Sequence, residues 1–352
     1  MNWKNCKNIL IIRPDNMGDL LMSSPAIRAI KETFGCRITV LTSSMGQAVA
    51  GLIPEIDEVI MINLPWLKLA ETETHEHFFE IVETLKAKNF DGCLLFNVFS
   101  QNPAPCMMLA FLAGIPLRAA YSRENLYALL SHWLIDEEPY FYIRHQVNRD
   151  LALAEFIGAK TADKTIKIKI QNEFKQLINR LFDSRVSHQR YFIFHIAVSE
   201  EKRRYPVSEW VALGKMVLET YKLPIFFTGS AADEPLINMV QKQVAKSHNL
   251  AGKLNINELA CLIKNAKAMV AVNTGPVHLA AALQTPVVVL YAKTNPQHYP
   301  WMVKSRVLYF EVDTKLRSLN QVLRYVNERL DGDSPDFPDA DRVFKALGAL
   351  LS

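Results

Sequence analysis

The turn Asn273-Thr274-Gly275-Pro276 separates two apolar runs, Ala268 to Val272 before it and His278 to Leu283 after it. The first run suits a buried strand, and the second, opened by proline at a first helical position, suits a short-sided helix. Helix amides that emerge from a glycine-containing turn beyond a strand's carboxyl end attract anions. Thr274, Gly275 and the helix from Pro276 are therefore expected to hold a diphosphate, the plain alternative being an ordinary strand-turn-helix connection. His278 falls in the first turn, where the helix dipole disfavours a protonated ring, so a neutral imidazole donating to phosphate stands beside a merely structural one.

Three further groups could do chemistry. Asp19, in the pair Gly18-Asp19 between a strand and a helix, could take a proton from an attacking hydroxyl or could cap the helix. Arg13 leaves the first strand six residues earlier and could grip phosphate or carboxylate groups, or stay solvated beside Asp15; Arg123 and Arg118 are weaker candidates of the same kind. Lys202-Arg203-Arg204 follows another apolar run, where fixed cations could stabilise a departing diphosphate or simply form a wet basic loop.

The elements that must position these residues alternate. Strands are expected at Asn8–Ile12, Arg37–Thr42, Glu58–Asn63 and Gly92–Val98, with helical spacing over Leu20–Phe34 and about His77–Lys88. A polar helical stretch, Asn172 to Arg190, reads as a connector. Strands then recur at Tyr191–Ala197, Leu223–Thr228, Ala268–Val272 and Val287–Tyr291, with helices over Val207–Thr220 and Asn257–Ala266. This alternation predicts two α/β halves, each a doubly wound parallel sheet, facing a central cleft. The boundaries are placed at 1–180 and 188–315, with a helical tail over 316–352.

The 352 residues are enough for two cores, and 49% hydrophobic with 22% charged residues is the balance of a globular chain. A net charge of +4 gives no basic stripe for nucleic acid but suits anionic small molecules or an anionic membrane surface. The five cysteines are scattered without a Cys-x-x-Cys spacing, which points to buried thiols in a reducing compartment. No signal peptide and no apolar run of spanning length is read, and Cys106 to Leu117 is taken as a core helix, so a cytoplasmic location is expected. His75-Glu76-His77 lacks metal-ligand spacing and reads as a wet helix start. Asp331-Gly332-Asp333 and Asp339-Ala340-Asp341 read as turn and helix-cap residues, and no metal site is expected. Neither Gly-x-Gly-x-x-Gly nor Gly-x-Ser-x-Gly stands where it would suggest a nicotinamide cofactor or a hydrolase.

Two long stretches carry a family resemblance. ILIIRPDNMGDLLMSSPAIRAIKETFGCRITVLTSS resembles the amino-terminal signature of glycosyltransferase family 9, the ADP-heptose:lipopolysaccharide heptosyltransferases, and AGKLNINELACLIKNAKAMVAVNTGPVHLAAALQTPVVVLYAKTNP is similar to its donor-domain signature. The segments Thr228 to Glu234, His145 to Gly158 and Lys202 to Pro206 fall between them in family order, so the likeness runs to about Trp301. It implies a GT-B fold of two Rossmann-like domains, with the acceptor on the first and the nucleotide-sugar on the second. It also implies inverting, metal-independent transfer of a heptose or related sugar from an ADP-sugar, with no cofactor, to lipopolysaccharide core or a related surface glycan, with peripheral inner-membrane contact.

Carried over residue by residue, the resemblance makes Asp19 the general base and puts Arg13 and Arg123 on the acceptor. The donor set is Ser199, Lys202 or Arg203, Leu254 against the base, Asn273, Thr274, Gly275 and His278. Two departures stand out: Arg203-Arg204-Tyr205-Pro206 occupies the place of Lys-x-Trp-Pro, and Asn273 replaces an aspartate, so it can hydrogen-bond but not act as a base. The alternatives carried forward are a nucleotide-sugar 2-epimerase of the same architecture and a non-catalytic sugar-nucleotide-binding relative.

Overall fold

The structure is a computed structural model; it describes residues 2–62, 64–66, 75–170, 174–181, 190–198, 200–293, 296–330 and 337–352. The chain divides into two compact units, Met1–Lys169 and Ile170–Ser352.

The first unit runs β1 (Asn8–Arg13), α1 (Met17–Phe34), β2 (Arg37–Thr42), α2 (Ser44–Ala50), β3 (Glu58–Met61), α3 (His75–Ala87), β4 (Gly92–Leu95), α4 (Ala104–Leu112), β5 (Leu117–Ser122), β6 (His132–Ile135) and α5 (Gln146–Phe156). Its strands pair in the order β3-β2-β1-β4-β5-β6, all parallel. The order reverses between β1 and β4, and ligands bind at such reversals, beyond the strands' carboxyl ends. β1 and β4 are buried on both faces, which is why they read as continuous apolar runs. α1 is buried on nearly every side from Gly18 to Ile30, packed against α2 and α5. Pro25 inside it cannot donate to Leu21, and the Ser24 hydroxyl fills that gap, donating to the Leu21 carbonyl at 2.7 Å.

The second unit runs α6 (Phe174–Leu181), β7 (Phe192–His195), α7 (Val207–Tyr221), β8 (Ile225–Thr228), α8 (Glu234–Gln241), β9 (Ser247–Asn249), α9 (Ile256–Asn265), β10 (Ala268–Val272), α10 (Pro276–Ala282), β11 (Val287–Ala292), β12 (Ser305–Phe310), α11 (Gln321–Leu330) and α12 (Ala340–Leu351). Its sheet, β12-β11-β10-β7-β8-β9, is again wholly parallel and repeats the first in topology, with the reversal between β7 and β10. The final helix belongs to this core: Ala340, Val343, Leu347 and Leu350 are buried with Trp210, Val288 and Leu290.

The expected strands all form: β2 and β10 match, β1 and β11 run one residue further, and β3, β4, β7 and β8 are two or three residues shorter where the apolar run outlasts the ladder. Residue 63 and most of the expected connector lie outside the described residues. Four strands escaped the reading of the sequence. β5 (LRAAYS) carries an arginine and two alanines, β6 and β9 are short, and β12 is a half-exposed edge without a long apolar run. The segment read as a core helix, Cys106 to Leu117, is α4 followed by the start of β5. α4 leaves Met108, Phe111 and Leu112 exposed on one face.

Candidate active site

In the first unit the loop after β1 holds a compact charged cluster. Asp19 is the third residue of α1; its Oδ2 accepts the Asn16 backbone N–H at 3.1 Å, and its Oδ1 accepts from Arg13 Nη2 at 3.2 Å. Asn16, not Asp19, is therefore the cap, and the carboxylate reaches back to it as in a capping box. The side chain of Arg13 is fully buried and that of Asp19 is 11% exposed, so the acid is at the rim and the cation beneath it. Arg13 Nε also stands 3.4 Å from Asp15 Oδ2, and Asp15 Oδ1 accepts from Gln101 Nε2 at 2.5 Å. That bond crosses the reversal point, tying the loop after β1 to the loop after β4.

Behind Arg13 lies Asp150 of α5, whose carboxylate accepts from Ser23 of α1 at 2.7 Å and from Gln146 at 2.8 Å. Burial, outweighing the pull of Arg13, pushes the carboxyls of Asp15 and Asp150 up to about 6. An unfolded aspartate loses its proton near pH 4, so from there to about pH 6 the folded chain holds protons that the unfolded chain has released. The fold accordingly gains stability from both groups as pH falls through this window. Asp150→Asn should remove one share of that gain, so the difference in Tm between wild type and variant should swing toward the wild type between pH 7 and pH 4.5. A difference constant with pH would show that Asp150 ionises as it does in water.

Arg123 donates from Nη2 to the carbonyls of Phe99, at 2.5 Å, and Glu138, at 2.8 Å, joining the loops after β4 and β6. Arg149, fully buried, donates to both Asp136 oxygens at 2.8 Å, to Glu138 Oε2 at 2.5 Å and to the Asn97 carbonyl at 2.9 Å. Arg118 is spent on the carbonyls of Ala128 and Leu129.

In the second unit the candidate donor residues straddle the other reversal. The loop after β7 carries a short helical turn, Glu201–Arg203, and Arg203 Nη1 donates to the Asn273 carbonyl beyond β10 at 3.0 Å. Glu200 lies between Arg203, at 3.1 Å, and Lys202, at 3.4 Å. Arg203 is thus fixed against the turn that opens α10, and Lys202 is held beside it through Glu200. Asn273 Oδ1 accepts the Ala292 N–H at 3.1 Å while its Nδ2 reaches the Ala292 carbonyl at 3.5 Å, so the amide clips β10 to the end of β11. α10 begins after Gly275, and Pro276 and His278 are both buried in its first turn. Leu254 is half-buried just before Asn255, which caps α9 by accepting the Glu258 N–H. Gly252 before it sits at φ +67°, with the Ala231 backbone 2.9 Å from where a Cβ would stand, so this close turn requires glycine. Ser199 lies outside the described residues.

Tyr205, in the tryptophan place of the family pattern, is buried. It stacks on Phe337 with ring centroids 5.5 Å apart and donates its hydroxyl to the Pro338 carbonyl, so it roots the basic loop on the chain leading into α12. The same rim holds a pair that the sequence reading passed over: His195 at the end of β7 lies 2.9 Å from the Thr228 hydroxyl at the end of β8. Burial pushes the His195 imidazole down to about 4, which leaves it neutral at physiological pH. A polar residue closing each of two apolar runs, FIFH and IFFT, was the available signal.

Of the residues set aside, Asp339 caps α12 by accepting the Arg342 N–H at 2.9 Å. The segment 331–333 lies outside the described residues, and so do the side chains of residues 75–77. Among the described residues no three His, Cys, Asp or Glu side chains come together as a metal site, and no helix is long and apolar enough to cross a membrane.

Two parallel six-stranded sheets of this order are the GT-B architecture. The fold matches the structure of E. coli ADP-heptose lps heptosyltransferase II with a TM-score of 0.72 at 24% identity, covering 98% of each chain. It matches E. coli heptosyltransferase WaaC with ADP at 0.71 and 17%, covering 97% of this chain and 99% of that one. In sequence it is 28% identical over 320 residues to lipopolysaccharide heptosyltransferase 2 of Salmonella typhimurium, 85% of this chain and 87% of that protein. Residues 78–321 match the profile of glycosyltransferase family 9 (heptosyltransferase), and the chain belongs to that family.

Proposed function

We propose that this enzyme transfers a heptose from ADP-heptose to a lipopolysaccharide core, with inversion and without a metal ion. The observation that carries the reading is the bond from Arg203 to the Asn273 carbonyl, which fixes a cation at the turn expected to hold a diphosphate. Relatives named as lipopolysaccharide heptosyltransferases, and the shared fold of a structure with ADP, support the donor and the acceptor class.

In the reaction Asp19 accepts the proton of the acceptor hydroxyl as it attacks the anomeric carbon, and the bond to the diphosphate breaks on the opposite face. Arg13 keeps the Asp19 carboxylate oriented from below. Arg203, aided by Lys202, and the amides around Thr274, Gly275 and the start of α10 take up the charge that develops on the departing ADP. Asn273, Ser199 and His278 hydrogen-bond the donor, and Leu254 packs on its base. Arg123 fixes the loops that face the acceptor. We place the enzyme on the cytoplasmic side, in peripheral contact with the membrane bearing its acceptor; five free, buried cysteines accord with a reducing compartment.

Thermal melting in the presence of ADP, UDP, GDP and CMP tests the donor class. At 100 times its Kd a ligand stabilises the folded state by about 2.7 kcal/mol, so ADP should raise Tm by several degrees and the others by little. A larger shift with UDP, together with turnover of a UDP-sugar in the absence of acceptor, would replace transfer by epimerisation.

A further inference from the structure

The connection from β6 to α5, residues 136–145, has two sides of opposite character. Its inner side is fastened by charge: Asp136 and Glu138 hold buried Arg149, the Glu138 carboxylate accepts the Arg144 backbone N–H, and the Glu138 carbonyl accepts from Arg123. Its outer side presents three consecutive aromatic rings, Tyr140, Phe141 and Tyr142, that are 48%, 81% and 39% exposed. The N–H groups of Tyr140 and Phe141 both reach the Glu137 carbonyl, at 3.0 and 3.2 Å, so the backbone is wound into a fixed turn. Guanidinium groups lie against two of the rings: Arg123 Cζ is 5.6 Å from the Tyr140 centroid, and Arg144 Cζ is 4.8 Å from that of Tyr142, with Arg144 Nη2 donating to the Tyr142 hydroxyl at 3.1 Å.

This turn stands at the carboxyl ends of the first sheet, the end that carries Asp19. Two sets of bonds meet on the loop after β4: Asp19 to Arg13, Arg13 to Asp15 and Asp15 to Gln101, and, two residues from Gln101, the Phe99 carbonyl through Arg123 to Glu138. Rings displayed to water on a rigid base have no role in a core, and contiguous exposed apolar surface marks a binding site. Flat rings interleaved with guanidinium planes suit the apolar faces of a sugar flanked by phosphate. A membrane-surface helix would carry its aromatic and aliphatic side chains along one helical face, and this turn is not a helix.

We propose that Tyr140, Phe141 and Tyr142, with Arg144, form a stacking platform for a phosphorylated saccharide on the acceptor side of the enzyme. The proposal rests on the transfer reaction put forward above and adds the residues that select its acceptor.

The probe is lipid-free core oligosaccharide lacking its terminal heptose, with and without phosphatase treatment, used with the full chain and labelled ADP-heptose. Phe141→Ala should raise the KM for oligosaccharide roughly tenfold, with kcat, ADP affinity and Tm little changed, since it loses one stacked ring. Phe141→Trp should restore most of the loss and Phe141→Leu should not, because leucine keeps apolarity but lacks a ring face. Arg144→Gln should raise KM for the phosphorylated oligosaccharide and leave that for the dephosphorylated one unaltered.

An unchanged oligosaccharide KM in Phe141→Ala overturns the platform and leaves the proposed reaction standing. Rescue by Phe141→Leu, or a defect confined to binding of phosphatidylglycerol vesicles, also overturns it and assigns the turn to the membrane. ADP binding by the wild type without transfer to any core oligosaccharide removes the proposed reaction and the platform together.

Discussion

Asp19→Asn is expected to lower the rate of heptose transfer by about 10²- to 10⁴-fold, the usual range for loss of a positioned general base. The substitution keeps the shape of the side chain and an oxygen for Arg13, but an amide is too weak a base to take the proton, and its NH2 meets the Asn16 N–H that the carboxylate accepted. Asp19 lies in the first unit, whereas the residues assigned to the diphosphate lie in the second, so ADP affinity by calorimetry should stay within about twofold. This split between kcat and donor binding separates catalysis from folding. Transfer at more than a tenth of the wild-type rate would reassign Asp19 to the capping box that it also completes with Asn16.

The largest effect on stability is expected from Arg149→Met. Arg149 is the cation between Asp136 and Glu138, all three buried, and it is packed 4.0 Å from the Tyr121 ring centroid. Removing one member of a buried ion cluster strands the others and typically costs about 3–5 kcal/mol. For a unit of this size, each kcal/mol corresponds to roughly 2–4 °C, so Tm should fall by about 6–20 °C by scanning calorimetry. Adding Asp136→Asn and Glu138→Gln should recover part of the loss, because the stranded carboxylates are then neutral. A fall of less than about 2 °C would mean that water reaches the cluster and screens it.

Much of this architecture was legible in the amino-acid order. Strands buried on both faces, such as VVVLYA in β11, read as unbroken apolar runs, and the Gly18-Asp19 pair and the Gly275 turn mark where the chain passes from β1 into α1 and from β10 into α10. Three of the four sheet edges were not legible, because β6 has four residues, β9 is three polar residues and β12 is half-exposed. The charged interior of the first unit was hidden for a different reason. Ser23 and Asp150 meet across 127 positions of sequence, and Arg149 pairs 13 positions upstream. Local pattern cannot tell a buried ion from a solvated one on an otherwise ordinary helix. Arg13 shows the same difficulty: a guanidinium at a strand's end reads as an outward hand for phosphate, yet here it is wholly enclosed and faces Asp15 and Asp19.

Asn273 also carries a meaning beyond its lost charge. Its side chain meets both the N–H and the carbonyl of Ala292, which an amide can do and an ionised carboxylate, an acceptor only, cannot. An aspartate there would keep the first contact and set its second oxygen against the carbonyl, oxygen against oxygen. The neutral residue thus works as a fastener at the seam of two strands, and reverting it to the acid would trade a closed seam for a repulsion.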